Sequence, residues 1–181
     1  EKRIMRIISG TKRGMLLKAP DGMGTRPTSD RAREALFNIV APYTADCDFL
    51  DLFSGSGAVG TEALSRGAKM ACFVENSSFD IIEYNLKKAG FTQCAKIFKC
   101  DVFSFLNTVA EKFDLIFLDP PYHKGFIEKS IDIIGKRSIL KDGGIIAAEC
   151  DSDEVLPSEI SGLKLFDRRK YGRAIINFYK K

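Results

Sequence analysis

The order of its elements is the feature of this sequence that most limits its fold. From Asp48 onward, apolar runs of strand length alternate with segments of helical periodicity, which predicts a parallel sheet with helices on both faces. The last two apolar runs, 163–169 and 173–179, are separated by three residues only. This is too short for a crossover helix, so the two strands must pair antiparallel. We therefore predict an α/β fold with a mostly parallel sheet.

The predicted boundaries follow from the same pattern. Strands are predicted at 48–53, 70–75, 95–100, 113–119, 144–150, 163–169 and 173–179. Helices are predicted at 31–40, 58–66, 78–89, 103–110 and 125–135, with a shorter helix near 153–160. Ahead of them, two β-prone runs flank a basic segment bordered by Gly10 and Gly14, which predicts a hairpin. A loop at 20–28 follows, and Thr28 or Ser29 is predicted to cap the first helix.

The composition is that of an ordinary globular protein, with 45% apolar and 29% charged residues. We expect residues 1–181 to form a single domain in which residues 1–28 are a basic hairpin-and-loop extension. No apolar stretch approaches the roughly 20 residues that span a bilayer. The five cysteines contain no C-x-x-C pair and the single histidine is His123, so we predict reduced thiols in a cytoplasmic protein and no metal site.

The net charge of +4 is unevenly distributed along the sequence. Residues 1–34 contain nine Lys or Arg and four Asp or Glu, so the positive excess is assigned to this end of the chain. Either a polyanionic partner or a merely solvated terminus explains such a segment.

A strand, a glycine turn and a helix start follow one another over residues 49–60. The glycines match the fingerprint G-x-G-x-x-G: Gly55, Gly57 and Gly60. Glu75 follows at the distance where an acid would bind a ribose, so the pattern alone is compatible with a nicotinamide dinucleotide. Asp51 argues against that reading, because it would repel a pyrophosphate beside the turn. It would attract a cofactor that carries a sulfonium and an ammonium group.

Acidic residues recur at the ends of the strands. Asp101 ends the third predicted strand, where it is placed to accept a hydrogen bond from an adenine amino group, with Val102 and Phe103 against the ring. Capping of the following helix is the alternative for Asp101. Asp51, Glu75, Asp101 and Asp119 thus stand at the ends of four successive strands, which predicts one shared pocket.

The segment Asp119-Pro120-Pro121-Tyr122 follows a predicted buried strand. It therefore lies at the carboxyl end of that strand, where open α/β sheets place their chemistry. The two prolines fix φ and remove two N–H donors, which leaves carbonyl oxygens without ladder partners. A carboxylate, carbonyl acceptors and an aromatic ring at one rigid corner suit a planar group that carries an NH2. A proline-stiffened exit from a strand is the purely structural alternative.

Together these motifs resemble the class I S-adenosylmethionine-dependent methyltransferases, and the Asp-Pro-Pro-Tyr segment resembles the motif of their amino-methylating branch. Within that branch the chain is similar to the RsmD family. The similarity rests on Arg6-Ile7-Ile8-Ser9-Gly10, Arg13-Gly14, Arg26-Pro27-Thr28, Leu36-Phe37-Asn38 and Lys170-Tyr171-Gly172. It implies a Rossmann-like, seven-stranded, mostly parallel sheet with an antiparallel last strand. It also implies methylation of the exocyclic N2 of one guanine in 16S rRNA.

The resemblance implies a function for individual residues as well. Those expected to bind S-adenosyl-L-methionine are Asp51, Phe53, Ser54, Gly55, Gly57, Glu75, Asn76, Asp101 and Val102. Those expected to act on the target base are Asp119, Pro120, Pro121 and Tyr122. Those expected to bind RNA are Arg6, Lys12, Arg13 and Arg26. The expected partner is 16S rRNA or the small ribosomal subunit, with no membrane involved and the protein acting as a monomer.

Other enzymes use the same kind of pocket. DNA adenine or cytosine amino-methyltransferases usually carry a separate target-recognition region, for which this chain has no room. Protein-glutamine methyltransferases typically have Asn where Asp119 stands. A nicotinamide oxidoreductase would not explain Asp51 or the basic N-terminal segment, and a non-catalytic RNA-binding module would not need four strand-end acids.

Overall fold

The structure is a computed structural model that describes residues 5–20 and 30–181. Its strands are β1 (Met5–Arg6), β2 (Leu16–Leu17), β3 (Asp48–Leu52), β4 (Met70–Val74), β5 (Ala95–Phe98), β6 (Phe113–Leu118), β7 (Leu140–Asp151), β8 (Glu159–Ile160), β9 (Leu163–Tyr171) and β10 (Ala174–Lys180). Its helices are α1 (Asp30–Thr44), α2 (Ala58–Ser65), α3 (Phe79–Ala89), α4 (Val102–Thr108) and α5 (Phe126–Arg137), with a 3-10 turn at Thr92–Cys94.

The main sheet has the strand order β5-β4-β3-β6-β7-β10-β9-β8. The five strands from β5 to β7 are parallel, whereas β10 is antiparallel to both of its neighbours, β7 and β9. All seven predicted strands are present, and the two-residue edge strand β8 is added to them. The predicted mostly parallel α/β sheet with an antiparallel last strand is therefore confirmed.

The predicted helix near 153–160 is wrong, because a turn follows Asp151 and the chain then enters β8. Leu156 precedes Pro157, and the residue before a proline is disfavoured in helical backbone, while the proline itself lacks an N–H. The Tyr179 hydroxyl donates to the Pro157 carbonyl at 2.7 Å, which holds this segment against β10. The predicted caps at Thr28 and Ser29 lie outside the described residues.

The core consists of two apolar layers, one on each face of the sheet. One layer packs α4 and α5 against the sheet through side chains such as Leu106 and Ile131. The other packs α1, α2 and α3 through side chains such as Phe37, Ala63 and Leu86. Within the part of the chain that the structure describes, no helix combines the length and the apolar character needed to cross a bilayer.

The predicted N-terminal hairpin is confirmed, with Met5 opposite Leu17 in the register of β1 and β2. Ile7 and Leu17 form a small apolar cluster with Ala58 at the start of α2. The hairpin, however, is attached to the rest of the fold mainly by hydrogen bonds to polar groups on α2 and α3.

Two buried side chains hold this hairpin in place. Glu62 on α2 accepts hydrogen bonds from the N–H groups of Ile8 and Ser9 at 2.8 and 2.9 Å. Asn85 on α3 bonds both backbone groups of Lys18 and also donates to the Ser56 carbonyl at 2.9 Å. Backbone groups of the hairpin thus take the place of water for buried polar side chains, which fixes its position.

Candidate active site

The carboxyl ends of β3, β4, β5 and β6 lie side by side, because these strands are parallel neighbours in the sheet. We call this border of the sheet the carboxyl edge. The four acids predicted to share a pocket lie within or shortly after these strands: Asp51, Glu75, Asp101 and Asp119. The structure therefore brings their strand ends together, and the binding of one common ligand stays a prediction.

Asp51 is buried in β3, and its Oδ2 accepts a hydrogen bond from the Gly60 N–H at 2.8 Å. A Cβ at residue 60 would lie 2.3 Å from the ring of Phe73, so glycine allows α2 to approach the sheet this closely. Burial raises the pKa of Asp51 to about 8; the Gly60 hydrogen bond opposes this shift and the charge of Glu75 adds to it. A cationic ligand beside Asp51 would favour its ionised form.

Glu75 follows β4 and links it to the glycine loop. Its Oε2 accepts a hydrogen bond from the Gly55 N–H at 2.8 Å, and its Oε1 accepts from the N–H groups of Asn76 and Ser77 at 3.0 and 2.9 Å. Burial alone would raise the pKa of Glu75, but the hydrogen bonds from Ser77, Gly55 and Ser78 outweigh it and hold the pKa below its ordinary value. Glu75 is thus an ionised acceptor beside the loop. Its Oε1 is fully occupied by donors from Asn76, Ser77 and Ser78, whereas its Oε2 accepts from Gly55 among the described residues and has a lone pair for one further donor.

Ser54 performs a structural function between β3 and β4. Its hydroxyl donates to the Asp51 carbonyl at 2.5 Å, has the Val74 carbonyl as a second, longer contact at 3.3 Å, and accepts from the Val74 N–H at 3.0 Å. These bonds fix the start of the glycine loop. The predicted contact of Ser54 with the cofactor stays a prediction.

Asp101 caps α4, where its Oδ1 accepts a hydrogen bond from the Ser104 N–H at 3.0 Å. The capping alternative is therefore confirmed, while the carboxylate is exposed and its second oxygen points to no other described donor. Val102 is buried under the first turn of α4.

Three aromatic rings meet near this end of the sheet: Phe53, Phe103 and Phe126. The rings of Phe53 and Phe126 are nearly parallel, with centroids 6.1 Å apart, and Phe103 meets Phe126 edge-on at 5.2 Å. All three side chains are half-buried. Phe126 is not among the predicted site residues, because it stands at the start of α5 and only the strand order brings that helix beside the glycine loop.

The Asp119–Tyr122 segment leaves β6 directly beside the glycine loop. Leu118 of β6 is the register partner of Leu52 of β3, so Asp119 and Phe53 are the next residues of two neighbouring strands. Asp119 is half-buried, Pro120 is buried and Pro121 is exposed. Neighbouring strands lie about 4.8 Å apart, so the first residues after the two strands, Asp119 and Phe53, lie close together.

Tyr122 is held through its hydroxyl, which donates to Glu149 Oε1 at 3.2 Å. Burial, and then the charges of Glu149 and Asp119, raise the pKa of Tyr122 well above its ordinary value, so the phenol stays protonated. Glu149 is buried near the end of β7, the strand next to β6.

Glu149 is a site residue that the sequence did not reveal. It is the one acid in the otherwise apolar predicted strand 144–150, and this was the available signal. Glu149 reaches Tyr122 only because β7 lies beside β6, and the order of the strands cannot be predicted from a local sequence pattern.

The residues predicted to bind RNA are not equivalent in the structure. Arg6 and Arg13 are exposed and line a cleft of about 460 Å³ between the hairpin and α1. Lys12 is half-buried, with its Nζ 6.0 Å from the centroid of the Phe91 ring. Arg26 lies outside the described residues.

Comparison with known proteins agrees with this geometry. The solved structure of yhhF from Escherichia coli superposes with a TM-score of 0.88 at 34% identity, covering 98% of this chain and 97% of that one. An RNA methyltransferase from Salinibacter ruber, solved with S-adenosyl-L-homocysteine, shares the fold with a TM-score of 0.64 at 14% identity, covering 85% of this chain and 92% of that one. The fold is that of a class I methyltransferase.

The family follows from the sequence matches. Residues 5–180 match the family described as "Conserved hypothetical protein 95". The chain is also 36% identical over 182 residues to the Ribosomal RNA small subunit methyltransferase D of Escherichia coli (strain K12), covering 98% of this chain and 90% of that protein. The chain belongs to this family, and the predicted resemblance to the RsmD family is confirmed.

Proposed function

We propose that this protein is an rRNA methyltransferase that transfers a methyl group from S-adenosyl-L-methionine to the exocyclic N2 of a guanine in 16S rRNA of the small ribosomal subunit. The observation that carries the proposal is the adjacency of two motifs. The Asp119–Tyr122 segment and the glycine loop leave β6 and β3 at neighbouring register positions. A base held by the first would therefore meet a methyl donor held by the second.

The hydrogen-bond acceptors around the glycine loop fit this cofactor. The ionised Glu75 carboxylate suits ribose hydroxyls, and the exposed oxygen of Asp101 suits an adenine amino group. The three half-buried rings of Phe53, Phe103 and Phe126 offer an apolar surface beside them. Asp51 would be stabilised in its ionised form by the positive charge of the methionine end. When bound, S-adenosyl-L-methionine supplies an electrophilic methyl group.

Asp119 and Pro120 would orient the target amino group. The nitrogen of guanine N2 is a poor nucleophile because its lone pair is delocalised into the ring. Hydrogen bonds from the NH2 to the Asp119 carboxylate and the Pro120 carbonyl would turn that lone pair toward the methyl group. The carboxylate would also stabilise the positive charge that develops on nitrogen as the methyl group leaves sulfur. The nitrogen would then release one proton to solvent, and neutral S-adenosyl-L-homocysteine would remain. Alignment and electrostatics thus supply most of the catalysis.

Tyr122 would stack on the base after it leaves its helix. A guanine inside folded RNA has to be flipped out to reach a buried site, which costs its stacking energy. The hydrogen bond to Glu149 fixes the ring of Tyr122 through its hydroxyl, so its face is in place before the base arrives. Pro121 stiffens the backbone between the two contacts.

The test compares two variants that each replace one carboxylate at the carboxyl edge. Asp119→Ala is expected to fold and to bind S-adenosyl-L-homocysteine as the wild type does, and to lose methyl transfer by at least about 100-fold. Asp153→Ala is the control, because Asp153 lies 3.5 Å from His123 in the loop beyond the motif and its side chain is 73% exposed. Near-normal turnover of Asp119→Ala, measured with tritiated methyl donor, would contradict the proposal.

A second measurement identifies the substrate and the acceptor atom. Tritiated methyl donor is offered with 16S rRNA, with duplex DNA and with a glutamine-containing peptide, and the labelled RNA is digested to nucleosides. We expect N2-methylguanosine from the RNA alone, and no transfer when the target guanosine is replaced by inosine, which lacks the 2-amino group. Label in DNA or peptide would favour the alternative substrates.

A further inference from the structure

The C-terminal hairpin, formed by β9 and β10, carries a second concentration of positive charge. Residues 163–181 contain one acid, Asp167, and seven basic residues: Lys164, Arg168, Arg169, Lys170, Arg173, Lys180 and Lys181. The net charge of all residues after residue 34 does not show this excess, because residues 35–162 contain more acidic than basic side chains. Positive charge is therefore not confined to the N-terminal end, contrary to the prediction from the sequence.

The topology places the tip of this hairpin at the carboxyl edge. β9 runs parallel to β7, because both are antiparallel to the strand between them, β10. Ala174, the first residue of β10, is the register partner of Tyr171 on one side and of Asp151 at the end of β7 on the other. The turn between β9 and β10 thus lies at the same border of the sheet as Asp119.

The basic side chains at this tip extend into solvent. The Arg173 side chain is 75% exposed, with one guanidinium nitrogen 3.3 Å from Asp151. Arg169 contacts Asp167 through its Nε and is 56% exposed. Lys170 is exposed, and its ammonium group forms neither an ion pair nor a hydrogen bond with any residue that the structure describes. We call Arg169, Lys170 and Arg173 the tip surface.

We propose that the tip surface binds phosphates of the RNA strand on one side of the target base, an inference that rests on the proposed function. The strand order from β6 to β9 spans three inter-strand spacings, which is about 15 Å. That distance equals the rise of roughly four stacked nucleotides. A strand whose flipped base occupies the Asp119 site would therefore place nearby phosphates over Lys170 and Arg173.

The chemistry of the tip surface favours phosphate over an acidic protein. Protein interfaces are centred on large apolar and aromatic side chains. None of the exposed large apolar side chains of the described residues belongs to the tip surface: Leu16, Tyr43, Tyr84, Val155 and Phe166. Val155 stands beside it, after Glu154, whose carbonyl accepts a hydrogen bond from Arg168. Phe166, the nearest along β9, is covered by the Lys180 ammonium group 4.8 Å from its ring centroid. A group of exposed cations that itself contains no exposed large apolar side chain is typical of contacts to a nucleic-acid backbone.

The same hairpin offers a matched control. Lys170→Ala/Arg173→Ala removes two positive charges at the tip, and Lys164→Ala/Lys180→Ala removes two at the opposite end. Lys164 and Lys180 are register partners there. The two double variants have the same net charge, so long-range electrostatics affects them alike.

The experiment measures affinity for 16S rRNA over a salt series. The tip variant is expected to flatten the slope of log affinity against log salt by roughly 1.4, about 0.7 for each phosphate that is no longer bound. The control variant is expected to keep the wild-type slope, and both should bind S-adenosyl-L-homocysteine normally. Equal slopes for the two variants would contradict the proposal that the tip surface binds RNA phosphates. This would also be the result if the tip surface bound an acidic protein instead. The proposed function would stand in that case, since it is tested separately by methyl transfer to rRNA by the wild type and the Asp119 variant.

Discussion

The two basic hairpins of this molecule are attached to it in opposite ways. The C-terminal hairpin is part of the main sheet, where β10 forms backbone ladders with β7 on one side and β9 on the other. The N-terminal hairpin has strands of two residues each and is held mainly by the side chains of α2 and α3. One is fixed by backbone pairing, which tolerates many side chains, and the other by a few buried polar residues.

The two hairpins also point to opposite ends of the strands. The tip of the N-terminal hairpin lies at Ser65, the last residue of α2, where the Thr11 N–H donates to the Ser65 carbonyl at 2.8 Å. Helix α2 starts at the carboxyl edge and runs away from it, so Lys12 is distant from Asp119 along the sheet. The C-terminal tip lies at the carboxyl edge itself. Positive charge along a sequence therefore says little about which basic segment stands beside the chemistry.

The largest effect is expected from breaking the attachment of the N-terminal hairpin at Glu62. Glu62 and Arg33 are both fully buried, with Arg33 Nε 3.8 Å from Glu62 Oε2, and Glu62 also accepts from Arg66 at 2.7 Å. Glu62→Ala leaves a buried guanidinium without this partner and two backbone N–H groups without acceptors. We expect a loss of about 3–5 kcal/mol in the free energy of unfolding.

Denaturant unfolding of Glu62→Ala checks this value against Glu111→Ala. Glu111 forms an exposed pair with Lys96 at 3.5 Å, and its removal should cost less than about 1 kcal/mol. A cost for Glu62→Ala as small as that of the control would mean that the hairpin is held by its apolar contacts instead.

A smaller loss is expected from Gly10→Ala, which separates contact from backbone strain. Gly10 has φ +84°, and a Cβ there would lie 1.8 Å from the Ser65 carbonyl oxygen. Gly14 has φ +83° with nothing within 4 Å of its Cβ position, so Gly14→Ala reports the strain alone, about 1–2 kcal/mol. Over-packing adds about 1–3 kcal/mol for Gly10→Ala. Equal unfolding free energies of the two variants would show that the hairpin moves freely off α2.

The same comparison shows which parts of the molecule can be predicted from sequence. The glycine loop and the Asp119–Tyr122 segment were located correctly because each depends on a local signal, an apolar strand followed by turn residues. Glu149 and Phe126 were missed because they join the site only through the order of the strands. The helix near 153–160 was predicted from the alternation of strands and helices, although Pro157 argued against it. The location of the C-terminal charge required the antiparallel register of β10.

The smallest effect is expected from Lys12→Ala/Arg13→Ala, the pair at the N-terminal tip. The Lys12 side chain is half-buried over Phe91, and the tip lies at the end of α2 remote from the carboxyl edge. Only Arg13, exposed in the cleft beside α1, is well placed to meet a phosphate. We therefore expect the slope of log affinity against log salt to flatten by about 0.7 for this variant, the value for a single phosphate. The measurement is 16S rRNA binding over the same salt series as for Lys170→Ala/Arg173→Ala. A larger change in slope than for Lys170→Ala/Arg173→Ala would show that the N-terminal hairpin contributes more to phosphate binding than the C-terminal hairpin. The RNA would then have to extend along α2 to the far end of the strands.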